Sequence, residues 1–303
     1  MRYREEQRTK AISKMESFFK DPGFGVFSGK QRDFVLSDSR VNLWEGVRED
    51  AIDYFRRNQI SWWRGANDEP TGHLLSSQIA CLNHLYPLRQ RRDLATAVLS
   101  NIDPNIQESE FLDDGLVEFE FIGMSEYLNE GGWTRGANCT SIDAAMLGKD
   151  RSGEKKLFLI EWKYTEDYAI EDKYIPERAS RYDGLIADEE SPFSKPVDVR
   201  AFYFEPFYQL MRQTLLAWQC VRHGDYGVTD YVHVHVVPKD NHELRDRVTS
   251  PYLRGHDIHE AWRSTLKDPG KFVSITPEEL LSPVKEKLYT KSFFNYLETR
   301  YWD

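Results

Sequence analysis

Cysteine is scarce. The 303 residues hold three, at Cys81, Cys139 and Cys220, with no paired spacing. That argues against a disulfide framework and for free, mostly buried thiols in a reducing compartment. Long apolar runs are missing too; the longest, around LFLI, suits one strand and falls far short of a membrane span. The opening MRYREEQRTKAISKMESFF is broken by charge throughout, so no secretory leader is expected at this start. We therefore expect a cytoplasmic protein without membrane association. No internal repeat or low-complexity tract occurs. There is no P-loop, no dinucleotide-binding glycine fingerprint and no G-x-S-x-G nucleophile motif. Positive charge is not in excess either: 40 Lys and Arg stand against 50 Asp and Glu, a formal net charge of -10. This speaks against a basic protein that coats nucleic acid, but not against an enzyme whose groove alone is positive.

What is present suffices for a sizeable core, with 40% hydrophobic and 14% aromatic residues. Residues 47–58, VREDAIDYFRRN, place Val47, Ala51, Tyr54 and Phe55 on one helical stripe. A loop, ISWWRGANDEPTG, follows. HLLSSQIACLNHLYPL predicts a helix with Leu75, Ile79, Leu82 and Tyr86 at helical spacing, and RRDLATAVLSNI a further one. The period then changes. LVEFEFIG (116–123) alternates, with Val117, Phe119 and Phe121 on one face and Glu118 and Glu120 on the other. TSIDAAMLG (140–148) and KKLFLIEWKYTE (155–166) predict a hairpin about GKDRSGE. A polar loop, 167–200, leads to a helix ending in QCVRH, and YVHVHVVP (231–238) reads as a fourth strand. The expected fold is mixed α/β: a central sheet of at least four strands, an antiparallel meander plus one crossover strand, flanked by helices. In the tail, Thr276, Pro277 and Glu279 fit a capping box with Pro at the first helical position. KLYTKSFFNYLETRYW predicts a terminal helix with Leu288, Phe293, Phe294, Leu297 and Tyr301 inward.

Three E-x-K tripeptides occur: Glu154 to Lys156, Glu161 to Lys163 and Glu171 to Lys173. The first falls in a turn and the third in a polar loop, where solvated charge accounts for them. Only the second ends an apolar strand. Alternation puts Leu157, Leu159, Glu161 and Lys163 on one face and Phe158, Ile160 and Trp162 on the other. Glu161 and Lys163 then point the same way, about 7 Å apart along the strand. A hairpin closing symmetrically about Ser152 sets Asp143 opposite Glu161, across about 5 Å. Like charges so placed destabilise a sheet unless a divalent cation sits between them. Hard oxygen ligands suit Mg²⁺, with Mn²⁺ as a substitute. A lysine beside them can hold a phosphate oxygen or position a water. These are the parts that phosphodiester hydrolysis needs.

Asp143, followed after a hairpin by Glu161-Trp162-Lys163 on an apolar strand, resembles the PD-(D/E)XK nuclease superfamily. The later helix carrying FYQLMRQ and the apolar strand after it fit the same core order. GHLLSSQIACLNHLYPL and IEWKYTE are similar to stretches in a group of bacterial restriction-endonuclease-like proteins. Ile142 stands where the superfamily often has Pro. The resemblance implies a restriction-endonuclease-like core over residues 73–238, with a helical extension at 1–72 and a C-terminal helical segment at 239–303. It implies Asp143 and Glu161 as metal ligands, completed by the backbone carbonyl of Trp162, and Lys163 as the water-orienting residue. Glu120 resembles the further acidic residue of many members, or is a solvated strand face. Gln209, with Gln213 one turn on, resembles a substrate-directed glutamine, or is a helix-surface amide. The implied activity is Mg²⁺-dependent hydrolysis of double-stranded DNA, with a homodimer as one way to cut both strands. Two alternatives stand beside it: a nuclease-derived module that grips nucleic acid or protein without cutting, and a nuclease acting on RNA or branched DNA.

Other candidates are plainer. His233 and His235, with Cys220 and His223 upstream, match no ordinary zinc spacing and read as strand histidines, as do His256 and His259 as loop residues. Trp44, Trp62 and Trp63 read as core aromatics before base-stacking ones. Two basic clusters, Arg2, Arg4, Arg8 and Lys10, then Arg89, Arg91 and Arg92, read as solvated faces.

Overall fold

The computed structural model describes residues 2–65, 68–195, 197–285, 287 and 290–302. Positions 66 and 67 of the loop after Gln59, position 196 of the polar loop and Leu288 of the terminal helix lie outside the described residues. Strands β1 (Val26–Phe27) and β2 (Lys30–Gln31) form a small hairpin of their own. One six-stranded mixed sheet is built from β3 (Ile106–Glu110), β4 (Glu118–Phe121), β5 (Ile142–Asp150), β6 (Lys155–Trp162), β7 (Val228–Val236) and β8 (Phe272–Ile275). Strands β3 and β4 share one edge of β5, β3 pairing with its second half and β4 with its first. Strand β6 runs antiparallel to β5, and β7 and β8 follow in parallel.

The helices are α1 (Tyr3–Ser13), α2 (Arg48–Arg57), α3 (Ser77–Leu85), α4 (Arg92–Ile102), α5 (Pro176–Ala187), α6 (Phe207–His223), α7 (His242–Arg245), α8 (Ile258–Arg263), α9 (Pro277–Lys285) and α10 (Lys291–Leu297). Among the described residues no helix is long and apolar enough to cross a membrane. Apolar residues of α2, α3, α4, α9 and α10 cover one face of the sheet, meeting Phe158, Ile160 and Trp162 of β6. Those of α5, α6 and α8 cover the other, meeting Leu157 and Leu159. Strand β6 is thus buried on both faces, each large side chain contributing about 1.5–3 kcal/mol.

The hairpin closes where the spacing predicts. Its pairs run from Lys149↔Lys155 to Ala144↔Ile160, all centred on Ser152. The Asp150 carboxylate accepts from the N–H of Ser152 and of Glu154, and Gly153 takes φ +89°, open to glycine without strain. The capping box also forms: Glu279 N–H donates to Thr276 Oγ1 at 3.2 Å, and Thr276 N–H to Glu279 Oε2 at 3.0 Å.

Four elements differ from the expectation. The polar loop 167–200 contains α5, whose Ala179, Tyr182 and Ile186 recur at helical spacing among charged neighbours. Strand β3 (IQESE) is too polar, and β8 (FVSI) too short, for alternation to mark them. The sheet therefore continues past residue 238 through β8. On β4 the alternation fails at Glu120, which has φ +49°: Phe119 packs with Val117 on one face and Phe121 on the other. A residue in the left-handed region re-aims the chain around it.

Candidate active site

Three carboxylates meet on adjacent strands. Asp143 lies one step beyond the last β5–β6 pair, which brings Glu161 opposite it. It also lies between the pairs Phe119↔Ala144 and Phe121↔Ile142, which brings Glu120 to its other side. Directly opposed residues of antiparallel strands sit about 5 Å apart. Asp143 stays partly open to solvent, while Glu161 and Lys163 are only 2% and 4% exposed.

Each carboxylate has its own holders. Asp143 Oδ2 accepts from the Trp162 backbone N–H at 2.7 Å, tying β5 to β6 beyond their ladder. Glu161 Oε1 accepts from Lys163 Nζ at 2.5 Å, and its Oε2 from the Gln213 side chain of α6. Glu120 accepts from Gln78 Nε2 at 2.6 Å and from Ser141 Oγ at 2.7 Å. Lys163 Nζ also donates to Gln209 Oε1 and lies 5.8 Å from the centre of the Tyr168 ring. Helix α3 starts at a Ser76 cap, whose Oγ accepts from Ile79 N–H at 3.3 Å, and so presents Gln78 from one side of the sheet. Helix α6 presents Gln209 and Gln213 from the other.

The electrostatics follow from this crowding. Burial, then the charges of Glu161 and Glu120, push the Asp143 carboxyl well above the usual range. Burial also raises Glu120, against the pull of Gln78 and Ser141 and with the push of Glu161. Burial alone would lower Lys163, but Glu161, Tyr168, Glu166 and Asp143 hold it well above an ordinary lysine. Lys163 is therefore an ammonium at neutral pH: a donor to water or phosphate, not a base. Among the described residues no three His, Cys, Asp or Glu side chains close into a metal-holding cluster. Asp143 and Glu161 offer hard carboxylate oxygens, the donor type that Mg²⁺ takes, and not the Cys and His set of a closed zinc site.

A model of the family described as Restriction Endonuclease associating with ARP matches residues 9–302. The chain belongs to that family. No curated protein and no solved structure matches it. In this restriction-endonuclease family member, Asp143, Glu161, Lys163, Glu120 and Gln209 converge on one spot. Trp162 joins them through its backbone only, its side chain lying on the opposite face against His84.

The sequence reading did not single out Gln78, Ser141 or Tyr168. Gln78 carried a signal: with Leu82 and Leu85 it sits at helical spacing on an otherwise apolar stripe. Glu118 is not a solvated face. It is 1% exposed and accepts from Tyr54 OH at 2.6 Å, Arg89 at 2.9 Å and Arg135 at 3.2 Å, so it serves the fold, not the row beside Asp143. Arg89 is accordingly buried, while Arg91 and Arg92 pair with Asp93 and Glu108. His223 stacks on Tyr127, and His233 bonds Thr214. Trp62 stacks on Phe55, and Trp44 packs on Phe293.

Proposed function

We propose that the chain is a Mg²⁺-dependent endonuclease of the PD-(D/E)XK type, acting on double-stranded DNA. The observation that carries this reading is the convergence of Glu120, Asp143 and Glu161 on neighbouring strands beside the buried ammonium of Lys163. Asp143 and Glu161, with the Trp162 carbonyl, would hold the ion, and Mn²⁺ could replace it. Such an ion neutralises charge developing on the phosphate and acidifies bound water. Asp143 is the least buried of the three, so a substrate phosphate would meet it first. Lys163 donates to the attacking water or to a non-bridging phosphate oxygen and stabilises the charge that forms there. Gln209 and Gln213 fix Lys163 and Glu161 in place. Glu120, whose proton affinity is raised, is suited to hold a proton released during the attack. The reading extends to a cytoplasmic chain that dimerises to cut both strands. The family's name adds ARP as an associate.

The test is cleavage of plasmid, linear, single-stranded, branched and modified DNA, and of RNA, with Mg²⁺ or Mn²⁺. Cutting of duplex DNA should vanish in Asp143→Ala and in Lys163→Ala. Full activity in either variant would overturn the assignment. The burial of Glu161 and Lys163 favours a second reading, a module that grips nucleic acid without cutting. Calorimetry separates the two: a Mg²⁺ or Mn²⁺ response lost in Glu161→Gln supports the enzyme, and no response in the wild type supports the module.

A further inference from the structure

Residues 23–30 read GFGVFSGK and build the hairpin of β1 and β2. Its tip, Ser28 and Gly29, takes φ +51° and +73°, as in the two-residue turns whose twist matches paired strands. Its base is fixed by close backbone approach. Gly25 N–H donates to the Val35 carbonyl at 2.8 Å, and a Cβ on Gly25 would collide with the Leu36 carbonyl oxygen. Leu36 N–H in turn donates to the Gly72 carbonyl at 2.9 Å, on the segment that leads into α3. Phe27, paired with Lys30, packs inward, its ring 4.7 Å from that of His73 and 5.9 Å from that of Trp63. The hairpin is a braced arm.

It is braced beside the carboxylate row. Trp63 N–H donates to Gln78 Oε1 at 2.9 Å, and the same side chain donates to Glu120. Two hydrogen bonds thus join the arm's support to the site. The outer side of the arm does nothing for the core: Phe24 is 62% exposed and Val26 68%. Phe24 also takes φ +59°, an angle that L side chains rarely adopt, and no burial offsets that strain. Among the described residues Lys30, Arg32 and Arg64 are exposed and enter no ion pair. The carboxylate that follows them in the hairpin, Asp33, is taken up by Arg8 at 2.7 Å. Unpaired cations beside exposed apolar side chains stand out in a chain of net charge -10.

We propose that the β1–β2 hairpin enters the major groove of the duplex next to the phosphate to be cut, Phe24 and Val26 meeting base edges and Lys30 and Arg32 meeting guanines or the backbone. The proposal rests on the duplex-DNA part of the reading above. Two paired strands with their side chains span about 10 Å, which fits a major groove about 12 Å wide and not a minor groove of about 6 Å. The thymine methyl, a partner for apolar side chains, lies in the major groove, as do the guanine O6 and N7 that basic side chains take.

The test is anisotropy of fluorescein-labelled duplex DNA of mixed sequence, titrated with the full chain in EDTA to hold off cleavage. A second duplex carries uracil for thymine and 7-deazaguanine for guanine, changes confined to the major groove. The wild type should bind the natural duplex about five- to tenfold more tightly than the substituted one. Phe24→Gly with Val26→Ser, and Lys30→Ala with Arg32→Ala, should each remove most of that difference with unchanged circular dichroism. If one pair fails to fold, the other decides. Phe24→Gly alone should melt no lower than the wild type, because glycine takes φ +59° without strain; a lower melting temperature would make Phe24 a structural residue and overturn its role. An RNA duplex, whose major groove is deep and narrow, should bind more weakly. No duplex binding, equal binding of both DNA duplexes, tighter binding of RNA, or full selectivity kept in the variants would each overturn the proposal. If the chain cuts duplex DNA yet binds both duplexes alike, the hairpin proposal falls and the nuclease reading stands. If it cuts nothing yet selects the natural duplex through the hairpin, the nuclease reading falls and the hairpin proposal stands.

Discussion

Replacing Asp143 by Asn removes one carboxylate from the row completed by Glu120 and Glu161, and keeps an oxygen for the Trp162 N–H, now 2.7 Å away. Two unit charges about 5 Å apart repel by about 3 kcal/mol at an effective dielectric constant near 20. Asp143 has two such neighbours, and Lys163 offsets part of their effect. A net relief of about 1–3 kcal/mol at neutral pH is a reasonable scale. For a chain of 303 residues this raises the melting temperature by about 2–5 °C. The sign with pH is set by the upward displacement of the Asp143 carboxyl, from burial first and then Glu161 and Glu120. A group whose folded-state pKa is raised stabilises fully below its unfolded value, about 4, and loses that contribution as pH rises through the folded value. The variant's advantage should therefore be present at pH 8 and shrink toward pH 4. Thermal melts followed by circular dichroism in EDTA read it directly. Added Mg²⁺ should raise the melting temperature of the wild type more than that of the variant, which should also fail to cleave. A variant that melts below the wild type at pH 8 in EDTA, or a gap that ignores pH, would refute the crowding of these three carboxylates.

Lys163→Met should act with the opposite sign. It strands the buried Glu161 carboxylate with Gln213 alone, costing about 3–5 kcal/mol in urea titration as well as all cleavage. Glu118→Ala leaves Arg89 and Arg135 without their shared partner and should lose about 3–5 kcal/mol on the same measurement, with metal binding retained. Acid should unfold the chain early. Burial lowers His84 and His233 to about 3 and His259 to about 4, so the stability they contribute above about pH 6.5 is lost as pH falls toward those values. His233→Gln should flatten the melting temperature against pH between about 6 and 4; an unchanged slope would remove His233 from the account.

The hairpin was legible because its chemistry is local. Asp150 and Gly153 fix the turn, and once the centre is Ser152 the register of nine-residue β5 on β6 is arithmetic. The faces of β6 follow from alternation alone, and they put Glu161 and Lys163 together before any helix is placed. Strand β4 was less legible because one backbone angle, φ +49° at Glu120, undoes alternation, and no rule of period announces it. Arg89 misled for another reason. In LRQRRD it resembles a solvated cation, and only the fold reveals that it reaches Glu118, 29 residues on in sequence.

What the sequence could not supply is the far side of each contact. Gln78, Gln209 and Gln213 come from two helices packed on opposite faces of the sheet, and no local pattern says that their first two turns reach the same strands. The level itself extends further than the carboxylates. Parallel pairing sets Glu161 beside His235, and His235 beside Ser274 of β8, a strand that went unpredicted. His259 bridges those two, 3.1 Å from His235 Nδ1 and within hydrogen-bond reach of Ser274 Oγ. His235 and His259 are displaced toward neutrality, by burial first. The row thus runs from the crowded carboxyl groups of Glu120, Asp143 and Glu161 to neutral imidazoles at β7 and α8. Lys163 stands at the boundary, and its ammonium turns to the Glu161 carboxylate rather than to the imidazoles.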